Sequence, residues 1–447
     1  MLLTFLISLL VLYVPASDSA TGMTAGWTLA GVGGMILLNT LACWVGSRSA
    51  IRLSRRRTAK GRMRAVRVFK LLRVGVIGFV VLDVFLFGWP QFVSRTFSSL
   101  PRVPLLADLV LLFPVLVMLL TAATFRYHFI SSRRSPALSL GNYLALRFRT
   151  ELGILVLPWL LLAGVSDITV WLWGHSPHFL WIDVAMSLGL MGGIVIFAGP
   201  LLGLVWETSS LPNGSLRERL DRFCRDQGFR CRDIRIWHTY QHLPNAAVVG
   251  PVPWLRHVLL TDALLAHCSE EEVEGIFAHE VGHIKRHHLG FYIFFAISFT
   301  CFYANGVDLL ARLGWVEPLS VLFSQHLTEG QALLMMVFAG LYWALVFGFL
   351  SRRLELEADL YSLRKASNPG AFISALRKLA SLSGTPMAAG SWRHFSIARR
   401  TGFLQKCQEK PELEKKTMRR IRLVQGAIVV LFLAAALRLA FLLPGNI

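Results

Sequence analysis

The part of this sequence most able to do chemistry is the run Ala278-His279-Glu280-Val281-Gly282-His283, which has the spacing His-Glu-x-x-His. Residues four apart lie on the same face of an α-helix, so His279 and His283 can direct ring nitrogens at one ion. The Glu280 carboxylate can approach a water beside that ion without ligating the ion itself. The spacing therefore predicts a zinc site in which Glu280 is the general base.

A catalytic zinc ion takes three protein ligands, so the third must come from elsewhere in the chain. The candidate is Glu355, which stands four residues before Asp359 in a second helical stretch. Glu355 would complete the site while Asp359 accepts a hydrogen bond from the ring N–H of a ligating histidine. Two alternatives stay open: a stacked carboxylate pair is common on a solvated helix face, and the histidine spacing can arise by chance.

The helix that carries the motif has a clear start signal. Ser269 is followed three residues later by Glu272, which is the pattern of a capping box. Val273, Ile276 and Phe277 form an apolar stripe behind the motif. Before this helix the chain is polar and mixed, and its pattern predicts a small α/β unit. Its elements are an amphipathic helix over 215–228 and strands over 233–238, 246–249 and 257–261.

These motifs resemble the M48 family of integral-membrane zinc metallopeptidases, whose branches include Ste24-type prenyl-protein proteases and HtpX-type quality-control proteases. The resemblance rests on the His-Glu-x-x-His run with His288 beyond it, and on Ser351-Arg352-x-x-Glu355-x-x-Ala358-Asp359. It covers roughly residues 208 to 405. It implies a zincin-type domain with one Zn²⁺ per chain, held by His279, His283 and Glu355.

Two further stretches match the family more loosely. Pro244-Asn245-Ala246-Ala247 is similar to an edge strand that pairs with the substrate backbone, which makes Asn245 and Ala246 substrate-binding candidates. An ordinary turn is the alternative. His394 and Arg400 resemble a His-Pro-x-x-x-x-Arg element, although Phe395 stands in place of the proline. By this resemblance His394 and Arg400 are candidates for stabilising the oxyanion, with a plain structural role as the alternative.

Composition identifies the class of protein. The chain is 54% hydrophobic and 16% charged, with a mean hydropathy of +0.55, which excludes a water-soluble globular protein. We therefore predict a mostly α, polytopic membrane protein that carries a small α/β metallopeptidase domain. The net charge of +20 lies between apolar spans, so it indicates membrane topology and not nucleic-acid binding. The six cysteines form no Cys-x-x-Cys and indicate neither a disulfide scaffold nor a zinc knuckle.

The predicted organisation has five parts. Transmembrane helices over 1–206 are followed by the α/β segment with the motif helix over 207–288. A transmembrane hairpin over 289–350 then leads to a helical segment over 351–423 and a last span over 424–447. The spans are expected at 24–46, 74–94, 104–124, 152–174, 180–206, 290–311, 331–350 and 424–443. Residues 1–15 form either a short first span or a cleaved signal peptide.

Charge in the loops predicts which side the site faces. Residues 47–73 hold eleven Lys or Arg and no acidic residue, so this loop is expected in the cytoplasm. Counting spans from it places 207–288 and 351–424 on that same side. Both halves of the zinc site would then share the cytoplasmic face of a bacterial inner membrane or another cell membrane.

The predicted function is a membrane-embedded zinc metalloendopeptidase. It would hydrolyse peptide bonds of membrane-associated or misfolded proteins through zinc-activated water, with a peptide or protein substrate and the lipid bilayer as partners. The alternatives are a CAAX-type prenyl-protein processing protease, an M56-like sensor protease in signalling, and an inactive membrane scaffold. The oligomeric state stays open.

Overall fold

The structure is a computed structural model that describes residues 2–12, 24–55, 59–98, 105–132, 138–241, 243–314, 338–382, 386–390 and 394–442. Within these ranges helices dominate, and four short strands form one sheet. This confirms the predicted fold class, a mostly α protein with a small α/β part. The chain divides into two units, Met1–Trp206 and Glu207–Ile447.

The first unit consists of helices that are apolar over most of their length. A helix satisfies its own backbone hydrogen bonds, which is what an apolar segment needs inside a bilayer. A π-helical turn, Phe148–Leu152, joins the helix that ends at Arg147 to the helix that begins at Gly153. The helices are α1 Leu2–Leu12, α2 Ala25–Arg55, α3 Ala59–Phe85, α4 Trp89–Ser98, α5 Leu106–Ser131, α6 Leu140–Arg147, α7 Gly153–Trp173, α8 Phe179–Ile196 and α9 Ala198–Val205.

Among the described residues, five helical segments are long and apolar enough to cross a membrane, and a bent pair of helices would add a sixth. The five are Ala25–Arg55, Leu106–Ser131, Leu140–Trp173, Phe179–Ile196 and Pro411–Arg438. The protein is therefore a multi-pass membrane protein. These segments overlap the spans that the sequence predicts at 24–46, 104–124, 152–174, 180–206 and 424–443.

Two predicted spans are interrupted. The span at 74–94 is divided between α3 and α4, which are bent by 54°. Gly88 lies at the break with a φ of 61°, a left-handed conformation that ends helices, and Pro90 then opens α4. The span at 180–206 breaks after Ile196, because Pro200 in α9 cannot donate to the carbonyl four residues before it.

Three other predicted spans can be compared with the structure only in part. Of residues 1–15, α1 accounts for Leu2–Leu12, and the rest lies outside the described residues. The span at 290–311 coincides with a helix, His288–Arg312, that falls outside the set of five. Of the span at 331–350, residues 331–337 lie outside the described residues.

The second unit begins as an α/β segment and continues as helices. A π-helical turn, Tyr342–Phe347, precedes the helix that begins at Gly348. The strands are β1 Thr208–Ser210, β2 Asp233–Trp237, β3 Ala246–Val249 and β4 His257–Thr261. The helices are α10 Ser215–Asp226, α11 Asp262–His267, α12 Glu270–Lys285, α13 His288–Arg312, α14 Gly348–Lys365, α15 Pro369–Leu382, α16 Ile397–Glu409 and α17 Pro411–Leu442.

The sheet has the strand order β1-β2-β4-β3. The strands β2 and β4 are parallel, and β1 and β3 pair antiparallel at the two sides. β4 is buried along its whole length, as expected for a central strand with a continuous apolar run, Val258-Leu259-Leu260. β3 is consequently an edge strand with one row of backbone groups unpaired by the sheet.

The motif helix α12 starts where the sequence predicts. The Ser269 hydroxyl accepts a hydrogen bond from the Glu272 N–H at 3.3 Å, and the Glu272 carboxylate accepts one from the Ser269 N–H at 2.9 Å. Ser374 and Lys378 of α15 also donate to Glu272, at 2.7 and 2.6 Å. The cap therefore fixes both the first turn of α12 and its distance from α15.

Apolar residues of α12 form the centre of the second unit's core. Phe277 is fully buried, and its ring meets the edges of Phe223 at 5.8 Å and Phe229 at 6.3 Å between ring centroids. Gly275 and Gly282 let neighbouring helices approach α12 closely. A Cβ on Gly275 would lie 3.0 Å from the Phe372 Cα, and one on Gly282 would lie 3.0 Å from the Tyr361 Cβ.

We predict that Gly275→Ala lowers the free energy of unfolding by about 1–3 kcal/mol, because the added methyl group meets backbone atoms of Phe372 and α15 must move. The change is measured as the shift in thermal unfolding of the detergent-solubilised protein. Gly402→Ala is the matched control, since a Cβ there meets nothing within 4 Å in another helix. Equal behaviour of the two variants would contradict the close approach.

Candidate metal centre

Two helices bring the three predicted metal ligands together. The Nε2 atoms of His279 and His283, one turn apart on α12, lie 3.3 Å from each other. Glu355 of α14 reaches the same point, with its carboxylate oxygens 3.7 Å from the His279 Nε2 and 3.8 Å from the His283 Nε2. These donor atoms all lie within 4.8 Å of one another.

This donor set fits a zinc ion. Tetrahedral zinc at the usual nitrogen and oxygen distances separates its ligand atoms by about 3.3 Å, which is close to the spacing found here. Two imidazoles and one carboxylate are also the ligand types of a catalytic site that leaves a position open. The residues present could therefore hold the Zn²⁺ that the sequence predicts.

The protein groups hold two of the three ligands, His283 and Glu355, in the state that a metal requires, whereas, against the effect of burial, Asp359 and Glu355 raise the pKa of His279. Burial and the neighbouring charge of His279 lower the pKa of His283 to about 3, so this ring is neutral at pH 7. Burial acts to raise the pKa of Glu355, but the hydrogen bond from His394 and the charges of the histidines outweigh it and hold the pKa low. A neutral imidazole and an ionised carboxylate are the forms that ligate a metal.

Asp359 holds the first histidine in place. Its Oδ1 lies 3.0 Å from the His279 Nδ1, on the side of the ring away from Glu355. The Arg400 guanidinium donates to both oxygens of Asp359, at 2.8 and 2.5 Å, and both side chains are buried. The Phe372 ring stacks on one face of the His279 ring, with ring centroids 5.6 Å apart. Orientation of this ring is thus fixed by a carboxylate, its counter-ion and an aromatic wall.

A second chain of contacts holds the second histidine. The His288 Nδ1 lies 2.8 Å from the His283 Nδ1, and the His288 Nε2 lies 3.3 Å from a carboxylate oxygen of Glu357. His288 is 1% exposed, so its contact with Glu357 is shielded from solvent. If His283 presents Nε2 to a metal, its Nδ1–H donates to His288 and the His288 Nε2–H donates to Glu357. Glu357 in turn accepts a hydrogen bond from Gln425 of α17 at 3.3 Å.

His394 and Arg400 occupy different places around the site. The His394 Nδ1 lies 3.0 Å from the Glu355 Oε2, and this side chain is 44% exposed, so it borders the open side of the centre. Arg400 is buried on Asp359, and the structure places it as the counter-ion of that carboxylate rather than beside a reacting carbonyl. Of the two oxyanion candidates, only His394 is on the accessible side.

Glu280 stands between the histidines and the edge strand. Burial raises its pKa to about 7; the charge of His279 opposes that rise and the charge of Glu355 adds to it. The Val248 N–H of β3 donates a hydrogen bond to the Glu280 carboxylate. A carboxyl group with a pKa near neutrality can both accept and return a proton at pH 7.

The edge strand offers one row of main-chain groups beside Glu280. Asn245 uses its N–H and its carbonyl on Thr261 of β4, at 2.9 and 3.1 Å. Because successive residues of a strand point in alternate directions, Ala246 and Val248 face the open edge instead. The structure therefore separates the two predicted substrate-binding residues: the main chain of Ala246 faces the edge, and that of Asn245 belongs to the sheet.

Similarity to known proteins agrees with this geometry. Residues 210–421 match Peptidase family M48. They form a peptidase family M48 domain. The matched range contains His279, Glu280, His283 and Glu355, and the resemblance drawn from the sequence is confirmed.

Two curated relatives lie in different branches. The "Protease HtpX homolog" of Streptococcus gordonii is 26% identical over 51% of this chain and 79% of its own length. The "CAAX prenyl protease 1 homolog" of Oryza sativa subsp. japonica is 26% identical over 56% of this chain and 58% of its own length. The family and these protease-named relatives support a membrane-embedded protease.

The crystal structure of S. mikatae Ste24p shares the fold. It superposes with a TM-score of 0.53 at 16% identity, covering 85% of this chain and 99% of that one. The likeness thus extends well beyond residues 210–421 and includes helices for which the sequence shows no resemblance.

Sequence reasoning missed three contributors to the site. It used His288 only as part of the family resemblance, and it gave no role to Glu357 or to the Val248 N–H. The spacing of His288 from His283 was a usable signal. Glu357 gave no such signal. It lies on the opposite side of α14 from Glu355, and it contacts His288 because α13, which begins at His288, packs near α14 in the folded chain.

We predict that His288→Ala weakens zinc binding by about 10- to 100-fold, since His283 loses the group that orients its ring. Competition with a chromophoric chelator measures the zinc dissociation constant of the purified protein. His287→Gly is the control, because His287 has a left-handed φ of 57° that glycine adopts readily. An unchanged dissociation constant in His288→Ala would show that the ring needs no such support.

Proposed function

We propose that this protein is a zinc metalloendopeptidase that cleaves peptide bonds of membrane-associated or misfolded proteins. The observation that carries the proposal is the convergence of His279, His283 and Glu355 beside Glu280. Zn²⁺ held by these three ligands would polarise the scissile carbonyl and lower the pKa of a water molecule.

The chain's own residues supply the proton transfers. Glu280, with a pKa near neutrality, takes a proton from the attacking water and returns it to the leaving amine. His394 borders the accessible side of Glu355 and would donate a hydrogen bond to the developing oxyanion. Asp359 and Arg400 keep the His279 ring in the orientation that the reaction uses.

Substrate would bind as an additional strand on β3. An extended peptide beside this edge would exchange main-chain hydrogen bonds with Ala246 and lie next to Glu280. Main-chain recognition places a peptide bond without requiring a particular side chain. This mode suits a protease that clears many different proteins.

The basic segments favour a cytoplasmic site. The segment over residues 47–73 carries eleven Lys or Arg without an acid, and the strongly basic segment from Arg352 to Arg422 belongs to the unit that carries the proposed metal ligands. We therefore place the active site on the cytoplasmic face of the membrane.

We predict that Glu280→Gln reduces kcat for peptide cleavage by about 10²- to 10⁴-fold and retains one zinc per chain, because the amide cannot accept the proton. Glu355→Ala should lose the metal as well as the activity. Cleavage of an unfolded membrane-protein substrate and elemental analysis of zinc measure the two effects. Full activity in Glu280→Gln would remove the mechanism, and full zinc content in Glu355→Ala would remove that ligand.

We predict that Ala246→Pro lowers kcat/KM by roughly tenfold without loss of folding, since proline removes an N–H that faces substrate. Ala247→Pro is the matched variant: its N–H faces β4, so its loss should instead lower thermal stability. If Ala246→Pro cleaved at the normal rate, substrate would not bind along β3.

A second candidate, processing of prenylated proteins, is favoured by the similarity to the "CAAX prenyl protease 1 homolog" of Oryza sativa subsp. japonica. Two peptides that differ only in a prenyl group on a C-terminal Cys-aliphatic-aliphatic-x motif separate the candidates. Cleavage of the prenylated peptide alone, absent in Glu280→Gln, would support processing. Cleavage of both peptides or of neither would support the general protease.

A further inference from the structure

A basic cavity lies between the end of α14 and the first turns of α17. Its volume is about 420 Å³, which is within the range of small-ligand sites. It is separate from the metal centre and contains none of the residues discussed there. It is lined by Arg364, Lys415, Met418, Arg419, Arg422 and Leu423.

The cations of this cavity come from two elements and converge on one space. Lys415, Arg419 and Arg422 follow one another at helical spacing and so share one face of α17. Arg364 comes from the last turn of α14. Glu414 pairs with Arg364, and Glu412 lies 3.7 Å from Lys415.

Two guanidinium groups in the cavity have no acidic partner in the described part of the chain. Arg419 and Arg422 are both exposed, and neither forms an ion pair there. Of the four cations that line the cavity, Arg364 is paired with Glu414 and Lys415 lies beside Glu412. The cavity is left with positive charge that an anion can neutralise, and a guanidinium fork matches a phosphate in charge and in shape.

The position of the cavity along α17 indicates where that anion comes from. The helix is one of the segments that can cross a membrane, and the cavity's three cations on it lie before the apolar stretch. Leu423 is 64% exposed and Val430 is also 64% exposed, as expected for residues that face lipid. Met418 and Leu423 give the cavity an apolar side next to its cations. A ligand here would have charge at one end and hydrocarbon at the other.

We propose that this cavity binds the phosphate of an anionic phospholipid, with Arg419 and Arg422 as its principal contacts. The acyl chains would leave along the exposed apolar face of α17. The bound lipid would join α17 to the end of α14, the helix that also carries Glu355. The proposal does not depend on protease activity, and its test uses binding alone.

The test compares two double variants of the full chain that carry the same charge. Arg419→Gln with Arg422→Gln removes the two proposed contacts. Lys416→Gln with Arg420→Gln removes two exposed cations of α17 that do not line the cavity. Each purified protein is titrated in neutral detergent with short-chain phosphatidylglycerol and with short-chain phosphatidylcholine. Native mass spectrometry counts the bound lipids.

We expect the dissociation constant for phosphatidylglycerol to rise by about tenfold or more in the cavity variant and by less than about threefold in the control variant. Phosphatidylcholine should bind more weakly to the parent protein, and inorganic phosphate at equal concentration should not displace phosphatidylglycerol. If the cavity variant fails to fold, Arg419→Lys with Arg422→Lys keeps the charge and should still weaken binding, because lysine lacks the planar fork.

Three results would overturn the proposal. Equal weakening in both double variants would mean general attraction to a basic helix. Displacement by equal inorganic phosphate would mean a soluble phosphate site, and equal affinity for the two lipids would mean that headgroup charge is not recognised.

Discussion

The close approach of α14 and α15 to α12 is the constraint on which the metal centre depends. Zinc ligands must lie within a few ångströms of one another, and those proposed here come from two helices that are distant in the sequence. Gly275 and Gly282 remove the side chains that would hold the helices apart. The Ser362 hydroxyl then donates to the Gly275 carbonyl at 2.7 Å, which fixes α14 against α12. A larger residue at Gly282 would displace α14, which carries Glu355, and a larger residue at Gly275 would displace α15.

Such close packing buries charge, and the structure compensates each charge locally. Asp359 is fully buried, and Arg400 neutralises it with two hydrogen bonds. Glu355 is nearly as buried and lies against His394 and the two histidines proposed as ligands. An unpaired carboxylate at this depth would take up a proton and stop being a ligand. The outer residues are therefore as necessary to the centre as the ligands.

The sheet contributes to the site through the main-chain groups of its edge strand β3 that no other strand pairs with. β4 is covered on both sides, by β2 and β3, and this makes β3 the edge. The same register that commits Asn245 to Thr261 turns Ala246 and Val248 outwards, towards Glu280. A shift of one residue would exchange these roles and withdraw the Val248 N–H from the carboxylate. Register in β3 thus sets both the environment of Glu280 and the groups available to a peptide.

The sequence by itself determined the membrane class, the start of α12 and the pairing of two motifs, because hydropathy, a capping box and helical spacing are local signals. The breaks near Gly88 and Ile196, where single residues end a helix, were not predicted from the sequence. Only the tertiary structure decided that Arg400 serves Asp359, that His288 and Glu357 support His283, and that Ala246 rather than Asn245 faces the edge. Those relations join residues from different helices and strands, and their geometry exists only after the chain has packed.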